Sequence, residues 1–168
     1  MPKPTVAWPP WPKQRDKLYT IEDKIGLGGF YMTLEAIQGT IDRMVRTDWW
    51  KKRTPIRHVR ALYPGYGMSG GNRVDDTHWE ILFHSARVCE RSLMHEMAHP
   101  LVAYRKGTTL ADHEWDHGPN FVGAMLLLYR RFRMATEAED LQKLFDKYGV
   151  RYSPEDKVRW LIDYTSIQ

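Results

Sequence analysis

A chain of 168 residues, 42% hydrophobic and 12% aromatic, has the length and apolar content for one buried core. Its single cysteine, Cys89, excludes an intrachain disulfide and any cysteine-based zinc ribbon. Lys and Arg outnumber Asp and Glu by only 25 to 21, a net charge of +4 that does not by itself call for a polyanionic partner. No signal-peptide-like apolar run opens the sequence, and the longest apolar stretch, residues 121–129, is too short to span a bilayer. The expectation is a cytoplasmic protein with no membrane partner.

Residues 1–12 read as a tail, because Pro4, Pro9, Pro10 and Pro12 around Trp8 and Trp11 favour extended polyproline II geometry. The two tryptophans are candidates to dock on a partner or to fold back on the domain. Residues 13–25 suit a helix that stops before Gly26, Gly28 and Gly29. Residues 30–50 suit a second, with Leu34, Ile37, Ile41 and Met44 on one face. Lys51-Lys52-Arg53 is a basic run with Arg57 and Arg60 close behind. No nucleic-acid motif accompanies it, so a solvated loop is expected and nucleic acid is only a secondary partner.

Residues 56–63 and 77–84 read as strands, the second alternating Trp79, Ile81 and Phe83. Between them Gly65-Tyr66-Gly67-Met68-Ser69-Gly70 has the letters of a dinucleotide fingerprint. That motif needs a helix directly after it to hold a pyrophosphate, whereas here Gly71, Asn72 and Arg73 lead into a strand. A flexible loop is the expectation. A long helix follows over residues 85–107, N-capped by Ser85, closed by Arg105, Lys106 and Gly107, and kinked at Pro100. Its apolar stripe is Cys89, Leu93, Met97, Leu101 and Tyr104. Gly118-Pro119 opens a further helix carrying Phe121, Met125, Leu128 and Phe132 inward. Thr136-x-x-Glu139 reads as a capping box for the next, with Leu141, Leu144 and Phe145 inward and Gly149 closing it. Ser153-Pro154 opens a last short helix with Val158, Leu161 and Ile162.

The chemistry concentrates opposite the apolar stripe of the long helix. His95-Glu96-Met97-Ala98-His99 is an H-E-x-x-H sequence, and histidines four apart on a helix share a face, so both imidazoles reach one ion. Zinc favours nitrogen ligands, and a catalytic site keeps one position for water, whose pKa falls to about 7. Glu96, projecting beside that position, is the candidate general base. A third ligand must come from beyond the helix. His113, the carboxylates Asp112 and Asp116, and His117 just outside the helix at Gly118-Pro119 are the candidates. The plain alternative is a core helix whose two histidines are satisfied by hydrogen bonds.

Together with His117-Gly118-Pro119-Asn120-Phe121, the H-E-M-x-H stretch resembles the active site of SprT-like (Spartan-type) zinc metallopeptidases. Arg15-Asp16 ahead of Leu18-Tyr19, the Trp49-Trp50 pair and the C-terminal helices are also similar to small H-E-x-x-H metallohydrolases of actinobacteria and their phages. The likeness is dense over residues 85–133 and loose over 13–84. It implies His117 as the third zinc ligand ahead of His113. It implies an α+β, zincin-like fold over residues 13–168, with a small sheet packed against the active-site helix and further helices N- and C-terminal to it. It also implies hydrolysis of a protein or peptide substrate. The cysteine-rich zinc module of several relatives cannot be built here. In zincin-type proteases a strand placed like residues 77–84 lies along the cleft and pairs with an extended substrate. Tyr63, Tyr66 and Arg73 stand in segments where an oxyanion-stabilising group would lie. His84 either lines the cleft or, as expected, is structural. Two alternatives remain in view: a non-catalytic zinc-stabilised binding module, with His113 closing the fourth position, and a protease acting on DNA-bound proteins, which the family and the basic balance suggest.

Overall fold

The N-terminal helix forms over Trp11–Gly26 (α1), with Leu18 and Ile21 buried at helical spacing. It opens the residues described by the structure, a computed structural model: 11–26, 30–65, 69–102, 117–132 and 134–165. Residues 1–10 of the expected tail lie outside them.

The helix expected over residues 30–50 is three elements. Tyr31–Thr33 is a strand (β1), Leu34–Arg46 a helix (α2) and Asp48–Lys51 one further turn (α3). Two threonines make the divisions. Thr33 and Thr47 are extended, and each Oγ1 accepts from the backbone N–H three residues on, Ala36 and Trp50. A side-chain oxygen that satisfies an otherwise open N–H starts a helix, so two such caps mean two starts. Ile37, Ile41 and Met44 are buried, as their spacing requires.

His58–Leu62 (β2), Gly70–Arg73 (β3) and His78–Leu82 (β4) form a sheet in the order β2-β4-β3, with β4 parallel to β2 and antiparallel to β3. β1 pairs antiparallel with Arg87–Cys89 (β5) in a separate two-stranded sheet. The alternation holds, with Val59, Ala61, Trp79, Ile81 and Phe83 buried. β3 falls where a loop is expected from sequence. Its glycines disfavour a strand, yet a Cβ at Gly71 would stand 2.6 Å from Nε1 of Trp79, so this close approach requires glycine. With a neighbour on each side, β4 has no open edge for a substrate. The expected substrate-pairing role therefore does not fit this strand, and β3 is an outer strand of the sheet.

The motif helix is shorter than its sequence signals suggest. β5 takes Arg87–Cys89, so Glu90–Ala98 (α4) begins after Cys89, and Ser85 is not its cap. His99–Leu101 is a 3-10 turn, and Val102 is extended at φ −111° and ψ 127°. Pro100 therefore ends the α-helix rather than kinking it, having no N–H for the Glu96 carbonyl. Arg105, Lys106, Gly107 and Tyr104 lie outside the described residues. Leu93, Met97 and Leu101 are fully buried, as the stripe predicts.

Pro119–Arg131 (α5) has Gly118 at its N-cap position and Pro119 in its first turn. Residues 121–129 are buried on every side rather than along one stripe, which makes α5 the central helix, packed on α4 and on Ala135–Tyr148 (α6). α6 begins at Ala135, so Thr136 lies inside it and makes no cap; Gly149 closes it in the left-handed conformation, φ 66° and ψ 38°. After Pro154 come a 3-10 turn, Glu155–Lys157, and a short helix, Ile162–Thr165 (α7). The architecture is α+β, and the buried apolar side chains form one cluster. Among the described residues no helix is long and apolar enough to cross a membrane.

Candidate metal centre

Three imidazoles meet where α1, α4 and the start of α5 converge. His99 precedes a proline, which disfavours α geometry, yet it keeps φ −57° and ψ −49°, so its ring stays on the face of His95, centroids 5.4 Å apart. His117 stands directly before the Gly118 cap. All three are buried, and one ligand nitrogen of each lies within 4.8 Å of the others. Nε2 of His95 and Nε2 of His117 are 3.0 Å apart. Two nitrogens bound tetrahedrally at 2.0–2.1 Å stand roughly 3.3–3.4 Å apart, so the His95–His117 pair needs only a small outward shift to share one zinc-sized ion.

Phe121 gives the H-G-P-x-F spacing its physical reason. One turn into α5, its ring centroid lies 5.0 Å from His95, 4.6 Å from His99 and 4.8 Å from His117. The glycine and proline start a helix just after His117, and the phenylalanine one turn on becomes an apolar floor under all three imidazoles.

Helix α1 orients the cluster. Both carboxylate oxygens of Glu22 lie 3.0 Å from Nδ1 of His95, and the two side chains are 14% and 7% exposed. A carboxylate there accepts the Nδ1 proton and turns the Nε2 lone pair toward His117. Gln14, also buried, donates to the carbonyls of His117 and Arg151, each at 3.1 Å, and accepts from the Arg151 N–H at 3.2 Å. Tyr19 stacks on His95, with centroids 5.4 Å apart and 24° between planes, and its hydroxyl lies 3.1 Å from Nε2 of His117. Tyr129 on α5 is fully buried. Burial, and then the Glu22 carboxylate, push its phenol well above the usual tyrosine range, so it stays protonated.

Glu96 is buried, and it lines a cavity of about 470 Å³ together with His95, Glu22, Arg91 and the exposed Tyr19 and Tyr31. His84 and Ser69 line it too, joined by a 2.7 Å hydrogen bond, so His84 is at the cleft and held in place. Tyr63 and Arg73 are not among its lining, and Arg73 pairs with Asp76 at 2.8 Å. Tyr66, Asp112, His113 and Asp116 fall outside the described residues. The basic run is divided. Lys51 and Lys52 are exposed, but Arg53 lies between the rings of Trp49 and Trp160, at 4.2 and 4.9 Å, and donates to the Trp49 carbonyl. Burial lowers its pKa.

Gln14, Tyr19 and Glu22 are the site residues that sequence reasoning did not assign. Their signal is faint: Gln14, Leu18 and Ile21 share one face of α1, and Tyr19 with Glu22 forms an i, i+3 pair at its edge. Compared with known proteins, the chain matches no family model, no curated protein and no solved structure.

Proposed function

We propose that this chain is a zinc-dependent metallohydrolase of the SprT-like, zincin type, and within that class a peptidase. The observation that carries the reading is the convergence of three buried histidines, with ligand nitrogens within 4.8 Å, beside a buried Glu96. Zinc held by His95, His99 and His117 would supply a Lewis acid that acidifies water and polarises a carbonyl. Glu96 takes the proton of the attacking water and passes it to the leaving amine. Glu22 keeps the His95 imidazole in the required tautomer and orientation. The Tyr19 hydroxyl, beside His117, donates to the carbonyl oxygen as negative charge builds there, while its ring shields His95 from solvent. The cavity beside Glu96 favours this reading over a structural zinc module, which closes its coordination with protein ligands. Cleavage of DNA-bound proteins has weaker support, because Arg53 is held between two indoles and breaks the cationic run.

The test is Glu96→Gln beside Tyr19→Phe, assayed on a proteome-derived peptide library. Glu96→Gln keeps about one zinc per chain, melts close to wild type, and cleaves about 10²–10⁴ more slowly. Tyr19→Phe lowers kcat about 10²–10³-fold with KM little changed. Unchanged hydrolysis in zinc-loaded Glu96→Gln would falsify the reading, and loss of zinc from that variant would turn it toward the structural module.

A further inference from the structure

Arg91 stands in the first turn of α4, four residues before His95, so the two side chains rise from one face of the helix. It lines the same cavity as His95, Glu96 and Glu22. Its Nε and Nη1 are shut off from solvent and have no hydrogen-bond partner, and among the described residues no carboxylate forms an ion pair with it. The cavity's Glu22 has both oxygens on His95.

Withdrawing a guanidinium from water without a partner is costly, and at Arg57 and Arg53 the chain offsets that cost more fully. Arg57 donates to the carbonyls of Lys51, Thr54 and Ile56. Arg53 leaves its Nε without a hydrogen-bond partner, but its guanidinium lies against two indoles and donates to a carbonyl. Arg91 has no such arrangement, and it is the arginine that opens onto Glu96.

We propose that Arg91 is a specificity residue that takes a carboxylate of the substrate close to the bond being cut. The inference rests on the peptidase reading, which puts a peptide carbonyl beside Glu96. A guanidinium at the cavity wall offers a carboxylate a permanent positive charge to pair with. A neutral substrate would leave the guanidinium charge without a counter-ion, so discrimination comes mainly from what the wrong substrate lacks. The carboxylate has two sources, the C-terminus of the peptide or an Asp or Glu side chain near an internal bond. In the first case the protein trims C-termini, and in the second it cuts beside acidic residues.

Binding separates these cases without relying on turnover. Zinc-loaded Glu96→Gln protein is titrated with N-acetyl-pentaalanine as free acid and as amide, and with the amide carrying a central Glu or Gln. At least one acid-bearing peptide binds about 10- to 100-fold more tightly than its neutral twin, the range of a charge-assisted pair. A preference for the free acid identifies the C-terminus, and a preference for Glu over Gln identifies the side chain. Adding Arg91→Met abolishes the preference, and Arg91→Lys retains part of it. Arg91→Met also melts close to the parent temperature, because no ion pair among the described residues is lost, whereas loss of a structural arginine would lower it. The proposal is overturned if no acid-bearing peptide binds better than its twin, if the preference survives Arg91→Met, or if that substitution unfolds the protein. A carboxylate preference in a protein that cleaves nothing in the peptide library would sink the peptidase reading alone.

Discussion

Two groups of histidines in this chain carry a carboxylate on Nδ1, and they differ in everything else. On the outer face of the three-stranded sheet, His58 and His78 are register partners, their rings stacked at 4.5 Å and 17°. Asp75 lies 2.9 Å from Nδ1 of His78, and those two side chains are more than half and almost half exposed. At the helix junction, His95 and Glu22 make the same contact at 3.0 Å with both side chains largely buried, and His99 and His117 join them. Strand pairing lays two exposed imidazoles face to face. A helical turn facing the start of another helix aims three nitrogens at one point. A carboxylate on an imidazole is thus no signature of a metal site. Convergence and dryness are.

Metal content breaks the comparison most sharply. His117→Ala is expected to take zinc from about one per chain to nearly none, while His58→Ala combined with His78→Ala leaves the stoichiometry intact. Metal analysis of the purified variants decides it, and zinc retained by His117→Ala but lost from His113→Ala would move the third ligand. A smaller effect is expected at the carboxylates. Glu22→Ala weakens zinc about 10- to 100-fold in competition with a chelator, whereas Asp75→Asn does nothing to it. Equal affinities in the two variants would erase the distinction between the dyads.

The histidine cluster was legible because each part is local. Four residues on one helix place His95 and His99, and a helix start places His117 above Phe121. The residues that orient the set were not, since Glu22 meets His95 across 73 positions and Tyr19 meets His117 across 98. On its own, Glu22-Asp23-Lys24 looks like any solvated helix face. The same limit explains the strands. β1 and β3 are three and four residues long, too short for an alternation pattern, and exist because β5 and β4 pair with them. At Pro100 the later Lys and Gly signals point to a longer helix, but the missing N–H decides where the α-helix ends.

The smallest expected effect concerns pH. Backbone and side-chain hydrogen bonds from Thr77 and His78 hold the Asp75 carboxyl at about 2, against an ordinary value of 3.8. A pKa depressed in the folded state stabilises above the unfolded value, and that contribution fades as pH falls through about 2. The group is exposed, so melting should barely register it, but the Asp75 carboxyl resonance should titrate near 2. A midpoint near the ordinary value would remove the ordered turn that supports His78.

Gln14 has a consequence for the order of events during synthesis. It ties His117 to α1 across 103 positions and ties Arg151 to the same side chain across 137. The length-dependent part of closing the shorter of these loops alone costs about 4 kcal/mol of chain entropy, so the clamp belongs to the late, cooperative stage of folding. His95 and His99 leave the ribosome well before Arg151 does, as a pair of imidazoles whose partner is not yet anchored. The complete histidine cluster therefore arrives with the finished fold and not with the motif. Under the proposed peptidase function the unfolded chain would itself be a potential substrate, and that delay would protect it.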